Sequence, residues 1–391
     1  MKHVPSGEAW REIARSLAPA FAERAATWDR ERRYAWLNVG ELAAAGLMGM
    51  IVPREHGGAG ASFLDVVHVV EEIASACTLT ARIVVEGNMG AVSAVMAYGT
   101  PEQRERVAPL VLSGDKPAIC ITEPEAGSDA GAMRTTARRV HGGYVLNGTK
   151  HWITGGGVSK VHLVFARVEE GGKAQGIGGF LVIVDREAPH GFAVVEHERT
   201  MGLCGMPEAT LRFTDLFVPD GDVVTPPGGF RRGFAQLMTA YNSQRVGAGT
   251  IAMGVAAGAL GHAVRYLRQR EQFGRPLAEF QGLQWMVADM DAGVHASRLM
   301  LHEAARSRCA AGFPEVATAA RAKLFASETA VRVVDQSLQM FGARGYGARE
   351  PLERMYRDVR MFTIGGGTAQ VLRTQLASHV LGMKLPQTRP T

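Results

Sequence analysis

The chain is poor in cysteine: its 391 residues include only Cys77, Cys120, Cys204 and Cys309. They lie far apart and form no Cys-x-x-Cys pair. That excludes a disulfide framework and a thiolate zinc site, and it fits a reducing compartment such as the cytoplasm. No run of Lys and Arg interleaved with aromatics occurs, so nucleic acid is not an expected partner. The opening Met1-Lys-His-Val-Pro-Ser-Gly-Glu8 has no apolar core of the kind a signal peptide needs. Long Leu- and Ile-rich runs are also missing. The most apolar stretch, residues 246–264, is rich in Gly and Ala and contains Gly254-x-x-x-Gly258. That pattern suits a membrane helix or a buried helix packed closely on others. With nothing else pointing to a membrane, the buried helix is expected. Short internal repeats and low-complexity tracts are absent too.

What is present is ordinary for a soluble globular protein, with 46% hydrophobic and 21% charged residues. The length can bury a sizeable core and suggests two or three domains. A formal charge of +5 fits an anionic ligand such as a CoA thioester, or simply a solvated basic surface. The first third reads helical, with Trp10, Ile13, Leu17 and Phe21 at helical spacing. Ser62-Phe-Leu-Asp65 and Thr100-Pro-Glu-Gln103 read as capping boxes, with Gly99 as a helix stop before the second. Short strands are expected at 118–121, 134–140, 144–147, 162–168, 180–184 and 210–218, in a mostly antiparallel sheet. After Pro226-Pro-Gly-Gly229 the helical period returns, with helices expected over 230–270, 280–311, 315–341, 351–361 and 367–380. The chain therefore divides into an N-terminal helical domain (1–115), a β-domain (116–226) and a C-terminal helical domain (227–391), an α+β fold.

One Gly-rich motif offers a rival reading. Gly247-Ala-Gly249-Thr-Ile-Ala252, with Glu271 about twenty residues on, matches a dinucleotide-binding fingerprint on paper. That reading needs a strand immediately before the glycines. Residues 234–241 have helical spacing instead, so the motif is set aside.

Four segments occur in one order along the chain: Ile119-Cys-Ile-Thr-Glu-Pro-Glu-Ala-Gly-Ser-Asp129, Asn147-Gly-Thr-Lys-His-Trp-Ile-Thr-Gly155, Arg270-Glu-Gln-Phe-Gly-Arg-Pro276 followed by Gln281, and Gln339-Met-Phe-Gly-Ala-Arg-Gly-Tyr346. A fifth, Glu353-Arg-Met-Tyr-Arg-Asp358 leading into Met361-Phe-Thr-Ile-Gly-Gly-Gly-Thr-Ala-Gln370, follows them. Together they resemble the acyl-CoA dehydrogenase family over nearly the whole chain. The resemblance implies that family's fold: a helical N-terminal domain, a middle β-domain and a C-terminal four-helix-bundle-type domain. It implies FAD as cofactor, lined by Ile121, Thr122, Gly127, Ser128, Trp152 and Thr154. It also implies a homotetramer whose flavin sites are shared between subunits. Arg270 and Phe273 would then reach a neighbour's cofactor, with Gln281, Gln339, Gly342, Thr368 and Gln370 in the same shared site. Ala343 departs from the pattern, where a Gly is common.

The chemistry departs further. Most of the family reads Ile-Tyr-Glu-Gly-Thr where this chain has Ile364, Gly365, Gly366, Gly367 and Thr368, and the Glu is the catalytic base. Other members carry their base directly before an Arg on the long helix, where this chain has Gln244 before Arg245. Neither Gly366 nor Gln244 can take a proton. General-base catalysis typically contributes ~10²–10⁴-fold, so α,β-dehydrogenation should be poor. Arg82, on an otherwise apolar face of residues 78–86, is either a partner of Glu86 or an anchor for an anionic acyl end, since a guanidinium pairs two-pronged with carboxylate or sulfinate.

Gly366, Gln244 and Arg82 together resemble a small subgroup, the 3-sulfinopropionyl-CoA desulfinases. So do residues 152–160, 240–249 and 281–290 and the tail Met383-Lys-Leu-Pro-Gln-Thr-Arg389. The resemblance implies FAD-bound but redox-neutral C–S cleavage, in which 3-sulfinopropionyl-CoA and water give propionyl-CoA and sulfite. In that site Arg82 would hold the sulfinate, Gln244 and Arg245 would frame the β-carbon, and Ser128 with the Gly366 backbone would hold the thioester carbonyl. Ser128-Asp-Ala-Gly131 is closer to the dehydrogenases and leaves room for a related substrate. Two alternatives stay open. One is a dehydrogenase or acyl-carrier-protein oxidase with another base, Glu86 or Glu123. The other is a flavin-binding scaffold with a dead site.

Overall fold

The computed structural model describes residue 5, residues 7–185 and residues 187–385. Most of the opening octapeptide and the end of the 383–389 tail lie outside them.

Six helices come first: α1 (Glu8–Glu31), α2 (Trp36–Ala44), α3 (Phe63–Ala74), α4 (Thr78–Glu86), α5 (Ala91–Tyr98) and α6 (Pro101–Leu112). Both expected capping boxes form. Ser62 Oγ accepts from Asp65 N–H at 3.1 Å while Asp65 accepts from Ser62 N–H at 3.2 Å. Thr100 and Gln103 exchange the same pair of bonds at 3.3 and 3.0 Å. Each box satisfies two N–H groups that a helix start leaves orphaned. The Gln103 amide also donates to the carbonyls of Gly221 and Val223, both at 2.9 Å, so this cap ties helix to sheet.

The middle of the chain folds as one eight-stranded sheet. Its strands are β1 (Ala118–Cys120), β2 (Thr136–Val140), β3 (Gly143–Thr154), β4 (Val161–Glu170), β5 (Lys173–Ile183), β6 (Phe192–His197), β7 (Glu208–Pro219) and β8 (Val223–Val224). The order is β6-β7-β3-β2-β4-β5-β8, with β1 beside β4. Only β1/β4 and β2/β4 pair in parallel; the other pairs are antiparallel, as the sequence led us to expect. β3 and β5 run well past their expected 144–147 and 180–184. β6 has no counterpart among the expected strands: it is an edge strand whose side chains are largely exposed, so it lacks a clear apolar alternation.

Helices then return: α7 (Gly229–Ala240) and α8 (Asn242–Gln269), a hairpin of β9 (Glu271–Gln272) and β10 (Arg275–Pro276), then α9 (Gln281–Arg306), α10 (Val316–Phe341), the short α11 (Ala343–Tyr346), α12 (Pro351–Val359) and α13 (Ala369–Leu381). The single helix expected over 230–270 is two, broken at Tyr241. Side chains compete with the helical ladder there. Ser243 Oγ donates to the Ala240 carbonyl at 2.7 Å, and Asn242 donates to the Pro314 carbonyl at 3.1 Å.

The Gly- and Ala-rich stretch lies inside α8, and it is a core helix. A Cβ on Gly254 would come within 2.6 Å of Ala74 Cβ, and one on Gly258 within 2.3 Å of the Ser75 carbonyl oxygen. The helices thus approach closer than any side chain would allow. By length and hydropathy residues 229–269 could cross a membrane, yet 78% of the most apolar window is buried inside the protein. Gly247 and Gly249 sit within α8 with a helix before them, so the dinucleotide fingerprint is absent. α8 packs on α3, α4, α9 and α10 in one core that joins the two helical regions. The sheet packs on α5, α6 and α7 through a second core. The site opens where these two bodies meet.

Candidate active site

A cleft of about 1650 Å³ lies between the sheet and the helices. That is larger than the ~300–1,000 Å³ of a pocket for one small ligand. α4 brings Arg82 and Glu86 to it, and the loop after β1 brings Ile121, Thr122, Gly127 and Ser128. The end of β3 adds Trp152 and Thr154, the α7–α8 break adds Tyr241, Gln244 and Arg245, and the turn before α13 adds Gly366 and Thr368. Residues from five separate segments of the chain therefore share one space.

Trp152 sits in a β-bulge of β3, between the paired positions Lys150 and Ile153. Its φ is +56°, a conformation few non-glycine residues adopt. The bulge turns the indole out of the sheet, half exposed toward the cleft. The Gly127–Asp129 loop is exposed beside it. A flat apolar face, an open Gly-Ser loop and a large volume suit a flavin dinucleotide.

Arg82 is the partner of Glu86 that one reading of the sequence expected, and it also lines the cleft. Its Nε donates to Glu86 Oε1 at 2.6 Å, and its side chain, 11% exposed, still lines the cleft. Its Nη2 donates to Thr154 Oγ1 at 3.3 Å. Burial alone would lower its pKa, but the charges of Glu86 and Glu208 raise it above the usual arginine value.

The two candidate bases named from sequence are both committed elsewhere. Glu86 is ion-paired with Arg82 and with the fully buried Lys116. Glu123 accepts from Lys150 Nζ at 2.8 Å and from the N–H groups of Arg134 and Thr135 at 2.5 and 2.9 Å. Burial would raise its pKa, but these bonds outweigh it and the carboxyl titrates below its ordinary value. Glu123 does not line the cleft.

At the far wall Arg245 Nη1 donates to Asn242 Oδ1 at 2.8 Å and its Nε to the Gly366 carbonyl at 3.3 Å. Burial lowers its pKa. Gly366 has φ +75°, so the family's glutamate is replaced by a residue free to adopt that turn. Gln244 is buried, and its side-chain oxygen has no hydrogen-bond partner among the described residues. An orphaned buried acceptor costs about 1–3 kcal/mol, which marks this oxygen as a contact for ligand or water.

Two titratable groups escaped the sequence reading. Glu208 opens β7 and lines the cleft, and Lys323 lies fully buried on α10. Burial pushes Glu208 up to about 7, opposed by the charge of Arg82. Lys323 Nζ donates to the Gly367 carbonyl at 2.7 Å, and burial with the charges of Arg245 and Arg82 pushes it down to about 7. Glu208 is the register partner of Thr154 across β3 and β7, a pairing that was legible only once both strands were aligned.

Arg270, Phe273, Gln281, Gln339, Gly342 and Gln370 are not in this cleft. All six are exposed, and Phe273, at the β9–β10 hairpin tip, is 94% exposed.

The family models for the N-terminal, middle and C-terminal domains of acyl-CoA dehydrogenase match residues 5–115, 118–216 and 231–381. The chain is similar to the 3-sulfinopropanoyl-CoA desulfinase of Cupriavidus necator, 55% identical over 96% of this chain and 95% of that protein. It is similar to the protein of the same name from Variovorax paradoxus, 56% identical over 96% and 94%. Its structure resembles that of butyryl-CoA dehydrogenase from Megasphaera elsdenii, with a TM-score of 0.89 and 29% identity over 97% of this chain and 100% of the other.

Proposed function

The chain belongs to the acyl-CoA dehydrogenase family, and from that premise we propose that it is an FAD-bound desulfinase. It converts 3-sulfinopropanoyl-CoA and water to propanoyl-CoA and sulfite, and two relatives at 55% and 56% identity carry the name 3-sulfinopropanoyl-CoA desulfinase. The observation that carries this reading is the exchange at the site. Both base positions are without a carboxylate, at Gly366 and Gln244, and a fixed guanidinium, Arg82, faces the same cleft.

FAD is the cofactor, and when bound it would supply a redox-active flavin ring. The chain's own groups then divide the work. Ile121, Thr122, Gly127, Ser128, Trp152, Thr154 and Thr368 line the cofactor. Arg82 holds the sulfinate by a two-pronged, charge-assisted contact. Gln244 presents its unpartnered side-chain oxygen near the β-carbon, and Arg245 frames the opposite side. Ser128 and the Gly366 backbone N–H hold the thioester carbonyl. The absence of a carboxylate at Gly366 and Gln244 agrees with the chemistry. Sulfinate loss as sulfite leaves the C–S electron pair with carbon, and that carbon must gain a proton while the α-carbon keeps its own.

The assembly we propose is a homotetramer in the cytoplasm, with flavin sites shared between subunits. Support comes from the exposed Arg270 and Phe273 at the β9–β10 hairpin, and from the exposed Gln281, Gln339, Gly342 and Gln370 on other elements. The four cysteines are free, as a reducing compartment would leave them.

Incubating the FAD-loaded protein with 3-sulfinopropanoyl-CoA and assaying sulfite tests the function. Sulfite equal to the thioester consumed is expected. Absence of sulfite above a protein-free control overturns the proposal.

A further inference from the structure

Desulfination needs an acid where dehydrogenation needs a base. The C–S bond breaks, its electron pair stays with the β-carbon, and that carbon takes up one proton. Sulfur leaves at the level of sulfur dioxide and is hydrated by water to hydrogensulfite, which releases one proton. No outside oxidant or reductant enters. The remaining question is which group delivers the proton.

The cleft wall at Arg82 holds a cluster of paired charges. Arg82 and Lys116 are both paired with Glu86, and Thr154 Oγ1 lies 3.3 Å from Arg82 Nη2. The same hydroxyl lies 2.9 and 2.8 Å from the two carboxyl oxygens of Glu208. Glu208 is thus one hydroxyl away from the group that would hold the sulfinate. Tyr241 faces the set from the α7–α8 break, and its own charge environment includes Arg82, Arg245, Glu86 and Glu208.

Arg82, Lys116, Arg245 and Lys323 supply the positive charge around this part of the cleft and Glu86 the negative. Within that field a sulfinate held by Arg82 lies one hydroxyl away from Glu208, and like charge disfavours the ionised carboxyl. Anion binding therefore favours the form of Glu208 that carries the proton.

Resting on the desulfinase reading, we propose that Glu208 is the proton donor to the β-carbon. The proton released as sulfur dioxide is hydrated restores it for the next cycle. Burial supports the assignment, since it keeps this carboxyl protonated up to about pH 7, where an ordinary glutamate would be ionised. The sign of the pH dependence follows. The raised group is protonated below about 7 and loses its proton above it, so sulfite release falls as pH rises through that value.

Two measurements test this. In the first, Glu208→Gln is compared with wild type for sulfite release and for flavin content by absorbance. The variant is expected to lose about 10²–10⁴-fold in turnover, the range of a general acid, with flavin content unchanged, and Glu208→Asp to keep part of the activity and its falling limb at high pH. Turnover of Glu208→Gln within a few-fold of wild type, with the same pH profile, overturns the inference while leaving the desulfinase reading intact. The second needs no turnover. Succinyl-CoA, whose carboxylate stands in for the sulfinate, is titrated into the FAD-loaded protein at about pH 7.5 in buffers of different ionisation heat. Wild type is expected to take up a fraction of a proton per site and Glu208→Gln none. No uptake by wild type, or equal uptake by the variant, overturns the role of Glu208 even if wild type releases no sulfite, an outcome that would sink the desulfinase reading separately.

Discussion

At the scale of residues, the account rests on a guanidinium in the place where the substrate's charge would be. Arg82→Ala removes it and leaves Glu86 with Lys116 alone. Truncating one side of a buried charged pair costs about 2–5 kcal/mol, so turnover should fall at least about thirtyfold. Arg82→Lys should recover little, because an ammonium is a point charge without the planar fork. Flavin absorbance and steady-state sulfite release check both variants. Unchanged turnover in Arg82→Ala would make the residue merely structural. Three residues of this site were legible without a structure, because each breaks a pattern locally: Gly366 and Gln244 stand where an acid is expected, and Arg82 interrupts an apolar face. Glu208 and Lys323 were not. Glu208 reaches Thr154 only through the pairing of β3 with β7, across 54 residues of sequence. Within β7 it is one of three charged residues, with Arg212 and Asp215, so nothing local marks it out. Lys323 sits in a stripe of buried small residues, Ala319, Ala322 and Ala326, and its burial could be read only from that stripe.

At the scale of elements, α8 carries the site because it can lie so close to α3. Gly254→Ala would press a Cβ to 2.6 Å from Ala74 Cβ and 2.8 Å from the Glu71 carbonyl oxygen. Overpacking of this kind costs about 1–3 kcal/mol. Gly261→Ala on the same helix meets nothing nearer than Arg265 Nη1 at 3.5 Å. There the better helix propensity of Ala should stabilise by up to about 1 kcal/mol. Thermal midpoints moving in opposite directions support the packing described; a neutral Gly254→Ala would contradict it. Element type was legible wherever periodicity or caps were strong, as in α1, α3 and α6. It was least legible at the α7–α8 break, where Ser243 and Asn242 side chains decide the geometry, and at β6, an edge strand with no buried face to pattern it.

At the scale of the whole molecule, the proposed assembly with shared flavin sites turns on the β9–β10 hairpin. Phe273, 94% exposed on a hairpin tip with φ +54°, contributes little to its own subunit's core. Phe273→Asp should leave the fold of each subunit intact, since exposed substitutions usually fall within about ±0.5 kcal/mol. It should weaken assembly and lower the flavin retained after gel filtration. Light scattering with flavin absorbance on the same peak reads both, and an unchanged tetramer with full flavin would remove this hairpin from the shared site.

The most direct test of the central claim is the product made in D₂O, without any electron acceptor, from 3-sulfinopropanoyl-CoA and the FAD-loaded protein. Mass spectrometry should find one propanoyl-CoA per sulfite, with a single solvent-derived deuterium on the β-carbon. An enoyl thioester with bleached flavin, or propanoyl-CoA labelled at the α-carbon instead, would contradict a site built to deliver a proton rather than to remove one.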